Sequence, residues 1–216
     1  MFFNFRINRL FSGWGSFFSR RNKNIFVAVF LIIFLIVAAV FLLLQAKTEE
    51  DLPDSFLEAN AAASQISRFI TNSTNESVKK LEEINLEHKA GNYEKAFYMT
   101  IEEIKKNNQV REQALLLSNE LQKMAASAKD IKSPKAQQLI IQAISSEIAL
   151  VTHLLIYNEY WNLLLENLKN KFLGLSPEFS EVKTSELIEK INNEVVTINE
   201  LNRKYHTLIE EFKRAI

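Results

Sequence analysis

Residues 133–172 read SPKAQQLIIQAISSEIALVTHLLIYNEYWNLLLENLKNKF, and this stretch decides the fold class. Ser133 is a good helix N-cap, and Pro134 suits the first helical position, where no backbone N–H is needed. No proline or glycine follows before Gly174. The spacing predicts one helix to about Phe172, roughly 38 residues and about 57 Å long. Its middle, Ile148 to Tyr157, is apolar on most faces and calls for neighbours on several sides. We do not read it as a membrane span. The apolar stretch is short, and Glu147, His153, Asn158 and Glu159 interrupt or flank it. An acidic side chain there would cost a few kcal/mol near a bilayer centre.

Outward from this helix the periodicity stays helical, and no alternating β-branched run suggests a strand. A first helix is expected from near Asp51, with Pro53 in its first turn and Phe56, Ala63, Ile66 and Ile70 facing inward. Thr71 to Asn75, TNSTN, reads as a polar break rich in capping residues. A second helix carries Val78, Leu81, Ile84 and His88 and stops at Gly91. Asn92 can cap a third, with Ala96, Phe97, Ile101 and Ile104. Lys106-Asn107-Asn108 marks a weak break or surface turn before a stripe from Val110 through Ala114, Leu117, Leu121, Met124 and Ala128 to Ile131. The third helix can run on into that stripe.

After Gly174, Ser176-Pro177 repeats the serine-proline start and can open a short turn. The last helix is expected from near Thr184 almost to Ile216. Its inward set is Ile188, Ile191, Val195, Ile198, Tyr205, Ile209, Phe212 and Ile216. Asn202 breaks this heptad. An asparagine there can fix register or partner number, but we expect Leu201 to replace it in the core by a slight rotation.

At the other end, residues 25–44 read IFVAVFLIIFLIVAAVFLLL, twenty apolar residues without charge, proline or glycine. A helix of that length spans about 30 Å, the thickness of a bilayer's hydrocarbon core. The formal net charge of zero hides an asymmetry. Five basic residues, Arg6, Arg9, Arg20, Arg21 and Lys23, and no acidic ones precede Ile25, whereas all 26 acidic and 21 of the 26 basic residues follow Leu44. Arg20, Arg21 and Lys23 sit against the apolar run and orient it with the N-terminus in the cytoplasm. Leu44-Gln45-Ala46 is a poor cleavage site and the apolar core is long for a signal peptide, so an uncleaved anchor is expected. Before it, Phe3, Ile7, Leu10, Trp14 and Phe17 fall opposite Arg6, Arg9 and Arg20, which suits a helix lying on an anionic membrane surface. Gly13 and Gly15 interrupt that pattern, and a disordered tail is the alternative.

The expected architecture is all-α: a single N-terminal transmembrane helix followed by an elongated antiparallel bundle of four or five helices. Residues 1–24 form a cytoplasmic basic and aromatic segment, 25–44 the anchor, 45–52 a linker, and 53–216 the extracytoplasmic bundle. There is no cysteine, which excludes thiolate metal sites, thiol nucleophiles, redox motifs and a lipoprotein attachment residue. The composition points to a bacterial envelope protein. Asn72-Ser73-Thr74 and Asn75-Glu76-Ser77 match the glycosylation pattern, which matters only in a host that glycosylates secreted chains.

Gly91 to Ala96, GNYEKA, resembles the turn and second-helix start of a tetratricopeptide repeat. In that family the glycine closes the first helix, the aromatic packs over the turn and the alanine allows close helix contact. Glu83 and Glu87 stand where the family places large apolar residues, and no second copy follows at the repeat period. We read an ordinary helical hairpin and carry over no peptide binding.

Chemistry-bearing patterns are sparse. His88, His153 and His206 have no second ligand at metal spacing, and Glu-x-x-His motifs, nucleophile elbows and glycine-rich phosphate loops are missing. The reading is of no enzyme, cofactor or metal. His153, Tyr157, Tyr160 and Trp161 form the one candidate interaction surface or pocket, with core packing as the plainer account. Glu102-Glu103 with Lys105-Lys106, and Lys79-Lys80 with Glu82-Glu83, read as solvated faces.

Expected partners are the lipid bilayer and either a protein partner or a second copy. The basic residues are explained by the membrane, not by nucleic acid, and no small-molecule substrate is identifiable. A membrane-anchored scaffold or interaction module leads. A ligand-binding or sensory bundle that signals through a partner follows, and an enzyme with scattered residues comes last.

Overall fold

The structure is a computed structural model that describes residues 52–175 and 181–216. The expected anchor at 25–44, the N-terminal segment with Arg20, Arg21 and Lys23, and the Ser176-Pro177 turn lie outside the described residues. The described chain is all-helical, with no strand. Four long helices follow in order: α1 (Asp54–Lys89), α2 (Tyr93–Ser127), α3 (Pro134–Phe172) and α4 (Glu181–Lys213), with a 3-10 turn at Ala128–Asp130.

Two joints are built alike. Gly91 takes φ +82° and donates to the His88 carbonyl, while the next amide, Asn92, reaches back to Glu87 O. Gly174 takes φ +69° and donates to Lys171 O, while Leu175 reaches back to Asn170 O. This paired closure ties off the last free carbonyls of a helix and needs a residue that tolerates positive φ. The third joint is the serine-proline start of α3. Ser133 Oγ accepts from the Ala136 N–H at 3.2 Å and donates to Ala215 O at 3.2 Å, so the cap also ties α3 to the end of α4.

Cross-helix bonds give the register. Ser55 Oγ donates to Ser127 Oγ, and Lys106 pairs with Glu76. Both pairs are placed symmetrically about Gly91, so α1 and α2 run antiparallel. Ser146 Oγ donates to Leu201 O and His153 meets Glu194, both nearly symmetric about Gly174, so α3 and α4 do the same. Asn107 Nδ2 donates to Asn158 O and sets α2 against α3. Each helix packs mainly on its chain neighbours, which leaves α3 flanked by α2 and α4. Those flanks use its apolar surface. α3 is also the one helix among the described residues long and apolar enough to cross a membrane by length and composition.

Three expectations are corrected, two on helix boundaries and one on a core position. Thr71 to Asn75 is no break, because α1 runs through it. Thr71, Thr74 and Ser77 each turn the hydroxyl back onto the carbonyl four residues earlier, at 2.8, 2.9 and 3.0 Å. Residues that favour caps in isolation are thus satisfied inside a helix, and their small size lets a neighbour approach. Both asparagine acceptors therefore sit in a helix and not in a surface loop. Lys106-Asn107-Asn108 is no break either, since α2 continues and buries Asn107. Asn202 is not displaced by Leu201. It occupies the core at 1% exposure, while Leu201 is half-buried.

Because a side chain added at Gly91 would meet nothing within 4 Å, Gly91→Ala isolates the conformational cost of positive φ. The expected loss is about 1 kcal/mol, read as a lower urea midpoint at unchanged slope.

Candidate functional site

The four candidate residues of α3 separate onto two stripes. Tyr157 and Trp161, one turn apart, are buried, with stacked rings 6.0 Å between centroids and 17° between planes. His153 and Tyr160, seven residues apart, lie on a neighbouring stripe toward α4. His153 Nδ1 is 2.7 Å from Glu194 Oε2, and Lys190 Nζ sits 5.4 Å from the centre of the Tyr160 ring. The structure therefore does not bring the four together as one surface. The partner of His153 is Glu194 of α4, a pairing that periodicity within one helix cannot reveal. His88 lies at the two glycine turns, its ring against Tyr93 and Phe172. Burial, with Lys171 and Lys89 nearby, holds its pKa below the usual imidazole value.

Two buried polar layers cross the bundle, and neither was legible as a site. The first joins α1, α2 and α3. Asn107 Nδ2 donates to Asn158 O at 2.9 Å, and Asn158 Nδ2 donates to Leu154 O at 3.0 Å. One turn along this register Glu103 comes level with Trp161. Glu103 is 2% exposed, which corrects its assignment to a solvated face. Burial raises its carboxyl above the usual carboxylate range, offset in part by the Ser77 hydroxyl and the Lys106 and Lys80 ammonium groups. Glu103 Oε1 and Trp161 Nε1, an acceptor and a donor, are not bonded to any protein group. The Tyr157 hydroxyl is held well above its usual pKa by burial and by the Glu103 charge.

The second layer lies between α3 and α4. Glu147, 2% exposed, has its carboxyl pushed up to about 7 by burial. Tyr205 is raised by burial and by the charge of Glu147, which places the two within electrostatic reach. Asn202, one turn before Tyr205 on α4, is also buried, at 1% exposure.

These layers did carry a sequence signal. The buried stripe of α2 runs Ala96, Thr100, Glu103, Asn107, Val110, Ala114, Leu117, Leu121 and Met124 at strict four- and three-residue steps. Continued through its polar members, the period puts Glu103 and Asn107 at core positions. What it cannot give is their partners.

Chemically, a covered carboxylic acid can hold a proton, but it has no reach to an outside substrate. Among the described residues no three His, Cys, Asp or Glu side chains gather as a metal would need.

The two halves of the candidate set should respond differently to truncation. Asn107→Ala removes the side-chain bond to the Asn158 carbonyl, which keeps its helical partner, and leaves a void, so it should cost about 2 kcal/mol in chemical unfolding. His153→Ala breaks a partly exposed pair and should cost about 1 kcal/mol or less. No family model matches the chain, and no curated protein or solved structure matches it either.

Proposed function

We propose that the protein is a single-pass, membrane-anchored helical scaffold or interaction module acting outside the cytoplasmic membrane through contact with protein. One observation carries this reading. The two glycine turns lie side by side, joined where the His88 ring touches Phe172, and they expose Leu86, Tyr93, Leu173 and Leu175. Leu86 and Leu175 are 64% and 68% exposed. Four of the eleven large exposed apolar residues among the described residues lie at this end, and a group of that kind suits a contact surface better than isolated surface leucines do. The start of α1, next to the expected anchor, lies at the opposite end, about 54 Å away along a 36-residue helix. An anchor there would hold this apolar end away from the bilayer.

The runner-up, a sensory or ligand-binding bundle, draws support from the buried Glu103, Tyr157 and Trp161 layer, whose donor and acceptor are not joined to protein groups. The side chains of that layer are packed and covered, so the contact module remains the better reading.

Self-association is tested with the full chain in detergent and in nanodiscs. Sedimentation should show concentration-dependent association that Leu86→Ser with Leu175→Ser abolishes. Because both residues are exposed, the unfolding midpoint should change little, by about 0.5 kcal/mol or less per site. A wild type that stays monomeric and crosslinks to no protein in native membranes would sink the proposal.

A further inference from the structure

Only 44% of the most apolar stretch of α3 is buried inside the bundle. The uncovered part forms one stripe. Ile141, Ser145, Ile148, Thr152 and Ile156 follow one another at four- and three-residue steps, and all are exposed or half-buried. Both hydroxyls on the stripe are already satisfied. Ser145 Oγ donates to Ile141 O at 2.8 Å, and Thr152 Oγ1 donates to Ile148 O at 3.1 Å. No exposed charged side chain lies on α3 between Lys135 and Glu159, about 34 Å of helix. Within that stretch Glu147 is buried and His153 is held by Glu194 of α4. The other helices expose charge at short intervals, as at Arg68 and Glu76 on α1, Arg111 and Glu112 on α2, and Arg203 and Lys204 on α4.

We propose that this stripe docks a second copy of the chain, α3 against α3 in parallel, about a two-fold axis along the membrane normal. The inference rests on the anchored contact module above and names its partner. The apolar run ends at Leu44, ten residues before Asp54 opens α1, so every anchored copy is rooted by the same end of its bundle. Two copies rooted alike meet side by side, and each residue of a two-fold stripe then faces its own counterpart. Such a contact sets like against like and excludes charge, whereas a different protein could meet charge with opposite charge. The neutral stripe of α3 suits self-pairing. A bilayer fits it less well. A helix lying in a lipid surface is rich in lysine and arginine beside its apolar face, and α3 has neither from Ala136 to Leu168.

The size of the stripe sets the strength of the pair. A strip about 34 Å long and about 10 Å wide covers on the order of 340 Å² per copy, under half of the roughly 800 Å² per partner in a standard interface. The pair is therefore weak in solution and leans on the anchors, which confine both copies to one surface. Parallel pairing also brings the exposed leucines of the two glycine-turn ends to one height, where they extend the contact.

The chain has no cysteine, so single introduced cysteines report the contact without background. The test is oxidative crosslinking of the full chain in liposomes and in native membranes. Ser145→Cys and Thr152→Cys should form covalent dimers about tenfold faster than Gln65→Cys, which is exposed on α1. In the Ser145→Cys background, Thr152→Lys alone and Thr152→Glu alone should each slow the reaction. Mixing the two should restore it, because residue 152 then meets the opposite charge, and restoration also shows that both variants fold. Equal rates at residues 145, 152 and 65, or a mixture no faster than either variant alone, would overturn the pairing. So would quenching of a fluorophore on Thr152→Cys by brominated lipid, which would assign the stripe to the bilayer. If Thr152→Cys stays monomeric while the glycine-turn end crosslinks to another protein in native membranes, self-pairing fails and the contact-module reading stands.

Discussion

The positive backbone angle at Gly91 and Gly174 is the constraint on which the rest of the bundle depends. Each glycine fixes where one helix stops and how many residues separate any pair facing across the joint. Pairs as distant in sequence as Ser55 with Ser127, or Ser146 with Leu201, meet because the count from the turn is nearly equal on both sides. A heptad stripe by itself is indifferent to sliding by one repeat. Turn closure removes that freedom, and the buried polar groups then penalise any slip, because a displaced Asn107 or Ser146 would lose its carbonyl partner.

Apolar burial is distributed unevenly over this frame. α3 buries fifteen residues, of which only Ser146, Glu147 and Asn158 are polar. α1 buries fourteen, of which eight are polar. Between Ala63 and Leu81 its only large apolar buried side chain is Ile70. Each buried leucine or isoleucine contributes about 2 kcal/mol through area removed from water, and a self-bonded serine contributes little. α3 therefore organises the core, while α1 owes its place to close approach and to its neighbours.

That imbalance explains what was legible in the sequence. The all-helical class, the Ser133-Pro134 start and both glycine stops were readable because each rests on local chemistry. The stretch TNSTN misled because threonine, serine and asparagine favour caps only when nothing else holds the backbone in a helix. Lys106-Asn107-Asn108 misled in the same way, since Asn107 finds its partner in another helix. Asn202 misled for the opposite reason. A residue that breaks an apolar repeat looks displaced, yet the amide keeps its place in the core at the same spacing as Ile198 and Tyr205. The site residues shared this fate. Tyr157 and Trp161 were visible as a cluster, but their sorting away from His153 and Tyr160 depends on Glu194 and Lys190 of α4.

The two polar layers also divide the bundle along its length. Glu103 and its neighbours lie toward the glycine turns, and Glu147 lies toward the opposite end, where Ser133 bonds to Ala215 just past α4. Between and around them the helices are held by apolar contacts that tolerate small shifts, whereas each layer tolerates few. Local opening in such a molecule begins where burial is thinnest and stops where a satisfied polar bond must break. In α1 the thin region is its hydroxyl-rich middle, where Ile70 is the one large apolar buried side chain between Ala63 and Leu81. Perturbation at one end of the bundle therefore need not pass to the other. The Asn107–Asn158 bond stands between the exposed leucines of the glycine turns and the Glu147 end of the bundle.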